Sequence, residues 1–84
     1  MTLRVSVISP EQTLYEGDAS AVVAPAYDGL VGILTGHAPM MTLLGRGTLR
    51  VSEGGGERTF AVEGGFLQVV DNQVRVVTEH AAAG

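Results

Sequence analysis

Apolar residues in this chain recur at every second position, and that period admits β-strands while excluding amphipathic helices as the main building element. Leu3, Val5 and Val7 share one face with Arg4 and Ser6 opposite; Leu49 and Val51 alternate with Arg50 and Ser52; Val74 and Val76 repeat the pattern near the end. Turn-forming residues punctuate the alternation every few positions. The spacing predicts about nine or ten short strands with no interposed helix to support a parallel sheet, which is the pattern of an all-β fold, a sandwich or a barrel.

The breaks are specific. Ser9-Pro10-Glu11-Gln12 reads as a turn before a short strand from Thr13 to Glu16, and Gly17-Asp18 as a second turn. Ala19 to Ala24 is a run of small and β-branched residues ending at Pro25, which lacks an N–H and belongs at a strand end or edge. After a loop over Ala26 to Gly29, Leu30 to Leu34 is interrupted by Gly32, the mark of a bulge or a close backbone approach. Thr35 to Pro39 is a loop, Met40 to Leu44 a strand, and Gly45 and Gly47 bracket Arg46 as a turn. Gly54-Gly55-Gly56 joins Thr48–Glu53 to Arg58–Glu63 as a hairpin, Gly64-Gly65 is a kink before Phe66–Val70, and Asp71-Asn72 is the tight turn into Gln73–Thr78.

At 84 residues with 45% hydrophobic side chains, the chain makes one small domain with one core. A fold of this size buries only about 60% of its unfolded surface, so a permanent partner would add to a thin stability. There is no cysteine, which removes disulfide and thiolate-metal scaffolds. The net charge is −4, and the cations are five scattered arginines (Arg4, Arg46, Arg50, Arg58, Arg75), so nothing resembles a nucleic-acid footprint. No apolar run reaches the length of a membrane span, and the N-terminus moves straight into alternation without a signal-peptide pattern. These features point to a soluble, cytosolic domain.

Catalytic chemistry finds little to work with. A phosphate-cradling Walker loop needs a lysine after its glycines, and there is none. Only His37 and His80 could supply imidazole, without the neighbouring ligands a metal site requires, and His37 reads best as a packed or hydrogen-bonded loop residue. No cofactor is implied. What stands out is apolar density where loops should be polar: Leu30 to Leu34 and Met40, Met41, Leu43 and Leu44 flank a His-Ala-Pro turn. Both a core and a partner surface remain open for this stretch, since methionine suits adaptable contacts.

Gly32-Ile33-Leu34-Thr35-Gly36-His37-Ala38-Pro39-Met40 closely resembles the epsilon subunit family of the F-type ATP synthase, called delta in mitochondria, whose pattern there runs Gly-Ile-Leu-Pro-Gly-His-Ala-Pro-Leu. Gly64-Gly65-Phe66-Leu67-Gln68-Val69 matches a second signature, Gly-Gly-Phe-Leu-Glu-Val, and Val5 to Glu11 looks like the family's opening strand and turn. The resemblance covers nearly the whole chain. Thr35 departs from the family's proline, Leu30 stands where relatives often carry glutamate, and the chain stops where a C-terminal helical hairpin normally begins.

The resemblance implies a small β-sandwich of two packed sheets over residues 1–79, followed by a short tail, 80–84, where the helical hairpin would begin. It implies a non-catalytic rotor subunit at the foot of the central stalk, linking the gamma subunit to the membrane c-ring and coupling the flow of protons or sodium ions to ATP synthesis. Such a subunit is peripheral, on the cytoplasmic side of the inner membrane, with no insertion into the bilayer. Carried over by position, Tyr27, Asp28, Gly29 and Leu30 are the expected c-ring contact. His37, Ala38, Pro39, Met40, Met41 and Thr42 are the expected gamma contact. Alternation allows at most one of Met40 and Met41 in the core. Gly32, Gly36, Gly64, Gly65 and Phe66 are expected to be structural, the paired glycines bending the chain before Phe66 enters the core. In relatives the hairpin inhibits hydrolysis and in some binds ATP, so this chain is expected to do neither. The competing expectation is a free-standing sandwich module that binds another partner.

Overall fold

The computed structural model describes residues 2–83. These form eight strands, and no helix occurs among the described residues: β1 (Leu3–Ile8), β2 (Thr13–Ala19), β3 (Ala21–Ala26), β4 (Gly29–Leu34), β5 (Met40–Leu43), β6 (Arg46–Glu53), β7 (Gly56–Val70) and β8 (Gln73–Ala83). The strand order is β2-β1-β8-β7-β6-β3-β4, with β5 also paired to β7. The β1–β8 pair is parallel, and the other pairs are antiparallel.

Two strands are long enough to serve both layers. Residues 66–70 of β7 pair with β5 and with the first half of β8, which continues to β1 and β2. Residues 56–63 of β7 pair with β6, and 60–63 with residues 80–83 of β8; β6 leads on to β3 and β4. The sandwich is thus one hydrogen-bonded sheet folded over itself, with the β7–β8 hairpin rounding the corner.

The corner lies at Gly64 and Gly65, whose φ values of 73° and 102° sit in the region that favours glycine. A Cβ on Gly65 would overlap the Val77 carbonyl oxygen. Across the bend the inward set on β7 shifts from Phe60 and Val62 to Leu67 and Val69; on β8 it shifts from Val74, Val76 and Thr78 to Ala81, which packs against the core. The Thr78 hydroxyl, buried at the bend, donates to the His80 carbonyl at 2.8 Å.

The core unites both layers. Leu3, Val5, Val7, Leu67, Val69 and Val76 from one meet Val22, Ile33, Leu49 and Val51 from the other, all at 0% exposure. At about 25 cal/mol per Å² of apolar surface removed from water, this burial is the main stabilising contribution. Pro25 is buried near the end of β3, past the last β3–β6 pair, where Gly45 N–H donates to the Pro25 carbonyl.

Several expectations need correction. The glycine pair bends β7 without breaking it, so Arg58–Glu63 and Phe66–Val70 are one strand and the count falls to eight. Gly17 and Asp18 are not a turn but part of β2, held in register with Val5 and Arg4; the Tyr15 ring lies over Gly17, where a Cβ would meet its hydroxyl at 3.2 Å. Gly32 forms no bulge, because β3 and β4 stay in unbroken register from Ala21↔Leu34 to Ala26↔Gly29, and open space surrounds it. Phe66 is half-buried and lies outside the core, because alternation places it opposite the buried Leu67. β8 continues past Thr78 to Ala83, where pairing with Phe60–Glu63 overrides the helix preference of the alanines. Met1 and Gly84, the ends of the expected domain and tail, lie outside the described residues.

Candidate partner-contact surfaces

Strand β4 carries one candidate surface at each end, roughly 17 Å apart at the usual strand rise. At its start, Tyr27 and Asp28 make a two-residue connection closed by the Ala26↔Gly29 pair, and Gly29 takes φ 136°. Tyr27 is 68% exposed and Leu30 75% exposed, and Asp28 points into solvent at the tip. All four residues of the expected c-ring contact therefore share one exposed hairpin.

At the far end of β4 the chain turns through 35–39. Gly36 adopts φ 83°, His37 N–H donates to the Leu34 carbonyl at 3.1 Å, and His37 Nδ1 lies 2.7 Å from the Ala38 carbonyl oxygen. His37 is half-buried and hydrogen-bonded within its loop. Gly36 N–H donates to Asn72 Oδ1 at 2.7 Å, which fastens this loop to the β7–β8 turn.

The two methionines separate as alternation requires. Met40 is half-buried and packs against the core, while Met41 is 64% exposed, on the same side of β5 as Leu43 at 63%. The expected gamma contact, His37 to Thr42, thus starts in the loop and runs down β5. Leu43, just beyond it, accepts a hydrogen bond of 3.0 Å from Tyr27 N–H. That bond sets the end of β5 beside the β3–β4 turn, one residue past the expected gamma contact.

Sequence reasoning missed an apolar row on the outer face of this layer. The register aligns Ile8, Val77, Phe66 and Leu43 across β1, β8, β7 and β5. Ile8, Val77 and Phe66 are half-buried, and with Pro10, Gly65 and Glu79 they line a shallow groove. The neighbouring outer row, Ser6, Arg75, Gln68 and Met41, is mostly polar. Strict alternation from Leu67 would have placed Phe66 outside; the cross-strand alignment is a tertiary fact that local pattern does not carry. On the other layer, Leu30 and Leu34 face outward at 75% and 63% exposure, with Gly32 leaving a gap between them.

Ion pairs lie away from these residues. Arg4 reaches Glu16 and Asp18 at 3.4 and 3.5 Å, Arg50 reaches Glu57 at 3.0 Å, and Arg58 reaches Glu53 at 3.2 Å. Such exposed pairs contribute little stability. Arg58 also sits 5.6 Å over the Tyr15 ring. Burial raises the Tyr15 pKa above its ordinary value, and the hydrogen bond to Glu53 and that group's charge add to the rise. The arrangement presents exposed apolar side chains on rigid strands, the chemistry of protein contact.

Known proteins agree with this reading of the fold. The family described as ATP synthase, Delta/Epsilon chain, beta-sandwich domain, matches residues 2–84. The chain is 46% identical over 80 residues to the ATP synthase epsilon chain of Leptospira borgpetersenii serovar Hardjo-bovis (strain JB197), covering 95% of this chain and 63% of that protein. It is 45% identical over 82 residues to the ATP synthase epsilon chain of Frankia casuarinae (strain DSM 45818 / CECT 9043 / HFP020203 / CcI3), covering 96% of each. A chain of the Euglena gracilis mitochondrial ATP synthase, solved as the OSCP/F1/c-ring assembly in rotational state 1, shares the fold with a TM-score of 0.90 at 24% identity, over 98% of this chain and 53% of that one. With the family's domain matched from residue 2 to residue 84, the chain belongs to the delta/epsilon chain family of ATP synthases, of which it is a β-sandwich domain.

Proposed function

We propose that this chain is a non-catalytic central-stalk subunit of a proton- or sodium-translocating F-type ATP synthase. It links the gamma subunit to the membrane c-ring, on the cytoplasmic side of the inner membrane, and couples ion flow to ATP synthesis. The observation that carries the reading is the family match across residues 2–84.

The geometry suits the role. A coupling body must be stiff and must be held at two places. Stiffness comes from a close-packed interior whose layers share β7 and β8. The two places are the ends of β4. The Tyr27–Leu30 hairpin faces the ring, where Asp28 pairs with basic loop residues and Gly29 lets backbones approach. His37 to Thr42 faces gamma, with Met41 as its exposed apolar anchor. The coupling role is assigned to the sandwich itself, and the Frankia epsilon chain is a relative covered by this chain over 96% of its length.

The test is co-purification with cognate gamma. A stable complex, eluting ahead of either protein alone, is the expected result; no association between two folded proteins overturns the rotor reading and favours a binding module with another partner. Saturating ATP is expected to leave the melting temperature of the domain unchanged, and a saturable shift would remove the expectation that the sandwich binds no nucleotide.

A further inference from the structure

Asn72 lies far from the expected contact residues in sequence, yet it fastens Gly36, the glycine that leads directly into His37. Asp71 and Asn72 form the two-residue β7–β8 turn, with φ values of 49° and 61°, closed by the Val70↔Gln73 pair. Positive φ at both central positions is the type I′ geometry that matches strand twist in hairpins, and asparagine tolerates it. That accounts for a small residue here. It does not account for the two further bonds Asn72 makes.

The Asn72 side-chain oxygen accepts the Gly36 N–H at 2.7 Å, and the Asn72 backbone carbonyl accepts the Arg4 N–H at 2.8 Å. One residue therefore ties the β7–β8 turn to the start of β1 and to the β4–β5 loop. The loop needs the tie. Gly36 is exposed and left-handed, with nothing within 4 Å of where a Cβ would be, so packing does not hold it. Its neighbours Thr35, Ala38 and Pro39 are also exposed.

We infer that Asn72 is a positioning residue for the gamma-contact loop, holding Gly36, and through it His37 to Pro39, in the conformation that gamma meets. The inference rests on the reading of His37 to Thr42 as the gamma contact. Preorganising a loop raises affinity by removing the cost of ordering it at the moment of binding.

The turn allows a clean separation of effects. Asn72→Gly removes the side-chain acceptor while favouring the type I′ turn and leaving the backbone carbonyl for Arg4. Asn72→Asp keeps an acceptor oxygen at the same reach and tolerates the same backbone. Amide hydrogen exchange of the 84-residue chain reads both bonds, and titration with gamma reads the consequence. In Asn72→Gly the Gly36 amide should exchange roughly 3- to 10-fold faster, the range expected for one hydrogen bond, with Arg4 unchanged. Gamma affinity should fall about fivefold, and Asn72→Asp should match the parent chain in all three readouts. An unchanged Gly36 amide in Asn72→Gly, or an Asn72→Asp chain that behaves like Asn72→Gly, overturns the positioning role. A freed Gly36 with full gamma affinity overturns the link to binding while leaving the rotor reading intact. A parent chain that does not bind gamma at all overturns that reading and the binding half of this inference, and the exchange data still decide whether Asn72 holds the loop.

Discussion

The Tyr15 hydroxyl donates to Glu53 Oε2 at 2.9 Å, joining edge strand β2 of one layer to the end of β6 in the other. The Tyr15 ring meets Phe60 edge-on at 6.2 Å, and Glu53 is held in turn by Arg58. Tyr15→Phe keeps the ring packing and deletes the bond, so it should cost about 1.5–3 kcal/mol, as for a hydrogen bond to a charged group. Urea titration at neutral pH measures it, and a change within error would show that the clasp adds nothing.

The same pair predicts an alkaline limit. The folded-state pKa of Tyr15 is raised above 10.0, first by burial and then by the Glu53 hydrogen bond and charge. A group raised on folding contributes stability that is complete below its unfolded pKa and is lost as pH climbs through the folded value. Stability should therefore decline from about pH 10 upward. Tyr15→Phe should flatten that decline, and identical pH profiles for the two chains would contradict it.

Gly65→Ala should be among the most damaging single changes. The new methyl would meet the Val77 backbone at a position with φ 102°, so strain and overlap act together at the corner where both layers turn. A loss of at least about 3 kcal/mol is expected, a large share of the stability of a domain this small. Thermal melting or soluble yield reports it.

Met40 and Met41 should part company under the same substitution. Met41→Ser removes an exposed side chain and should leave stability within about 0.5 kcal/mol. Its gamma affinity should fall roughly tenfold, as for a contact anchor. Met40→Ser should cost about 1–2 kcal/mol of stability through the core it packs against. Equal effects of the two on gamma binding, once corrected for folding, would remove Met41 from the contact.

Asp28→Arg reverses the charge at the tip of the β3–β4 hairpin, where no core contact depends on it. Folding should be unaffected within about 0.5 kcal/mol. Assembly with the membrane sector should weaken, read as reduced ATP-driven ion pumping in reconstituted vesicles. Full pumping would take Asp28 out of the ring contact.

Much of the fold is legible in local pattern, because a strand half-buried on one face writes its burial into every second residue. Leu3, Val5 and Val7, Leu49 and Val51, and Val74 and Val76 all face inward as alternation requires. The turn at Asp71 and Asn72 declares itself through residues that accept positive φ. Illegible features depend on pairing between distant segments. Gly17 and Asp18 have the chemistry of a turn, yet β1 holds them extended. Ala81 and Ala82 prefer helix, yet the free side of β7 takes them as strand. Of the candidate site, the exposed Tyr27–Leu30 hairpin could be read from composition and resemblance. The tie from Asn72 to Gly36 could not, since 36 residues separate two groups that only the closed sandwich brings together.

The passage of β7 and β8 around the corner has a mechanical consequence. In a sandwich made of two independent sheets, the layers touch only through side chains, and a tangential load can make them slip past one another. Here the bend at Gly64 and Gly65 is crossed by continuous backbone, with the ladder resuming from Gly65↔Thr78 to Glu63↔His80. Slippage would have to stretch covalent chain and break ladder hydrogen bonds together. A twisting load applied to one face therefore arrives at the other with little lost to internal shear.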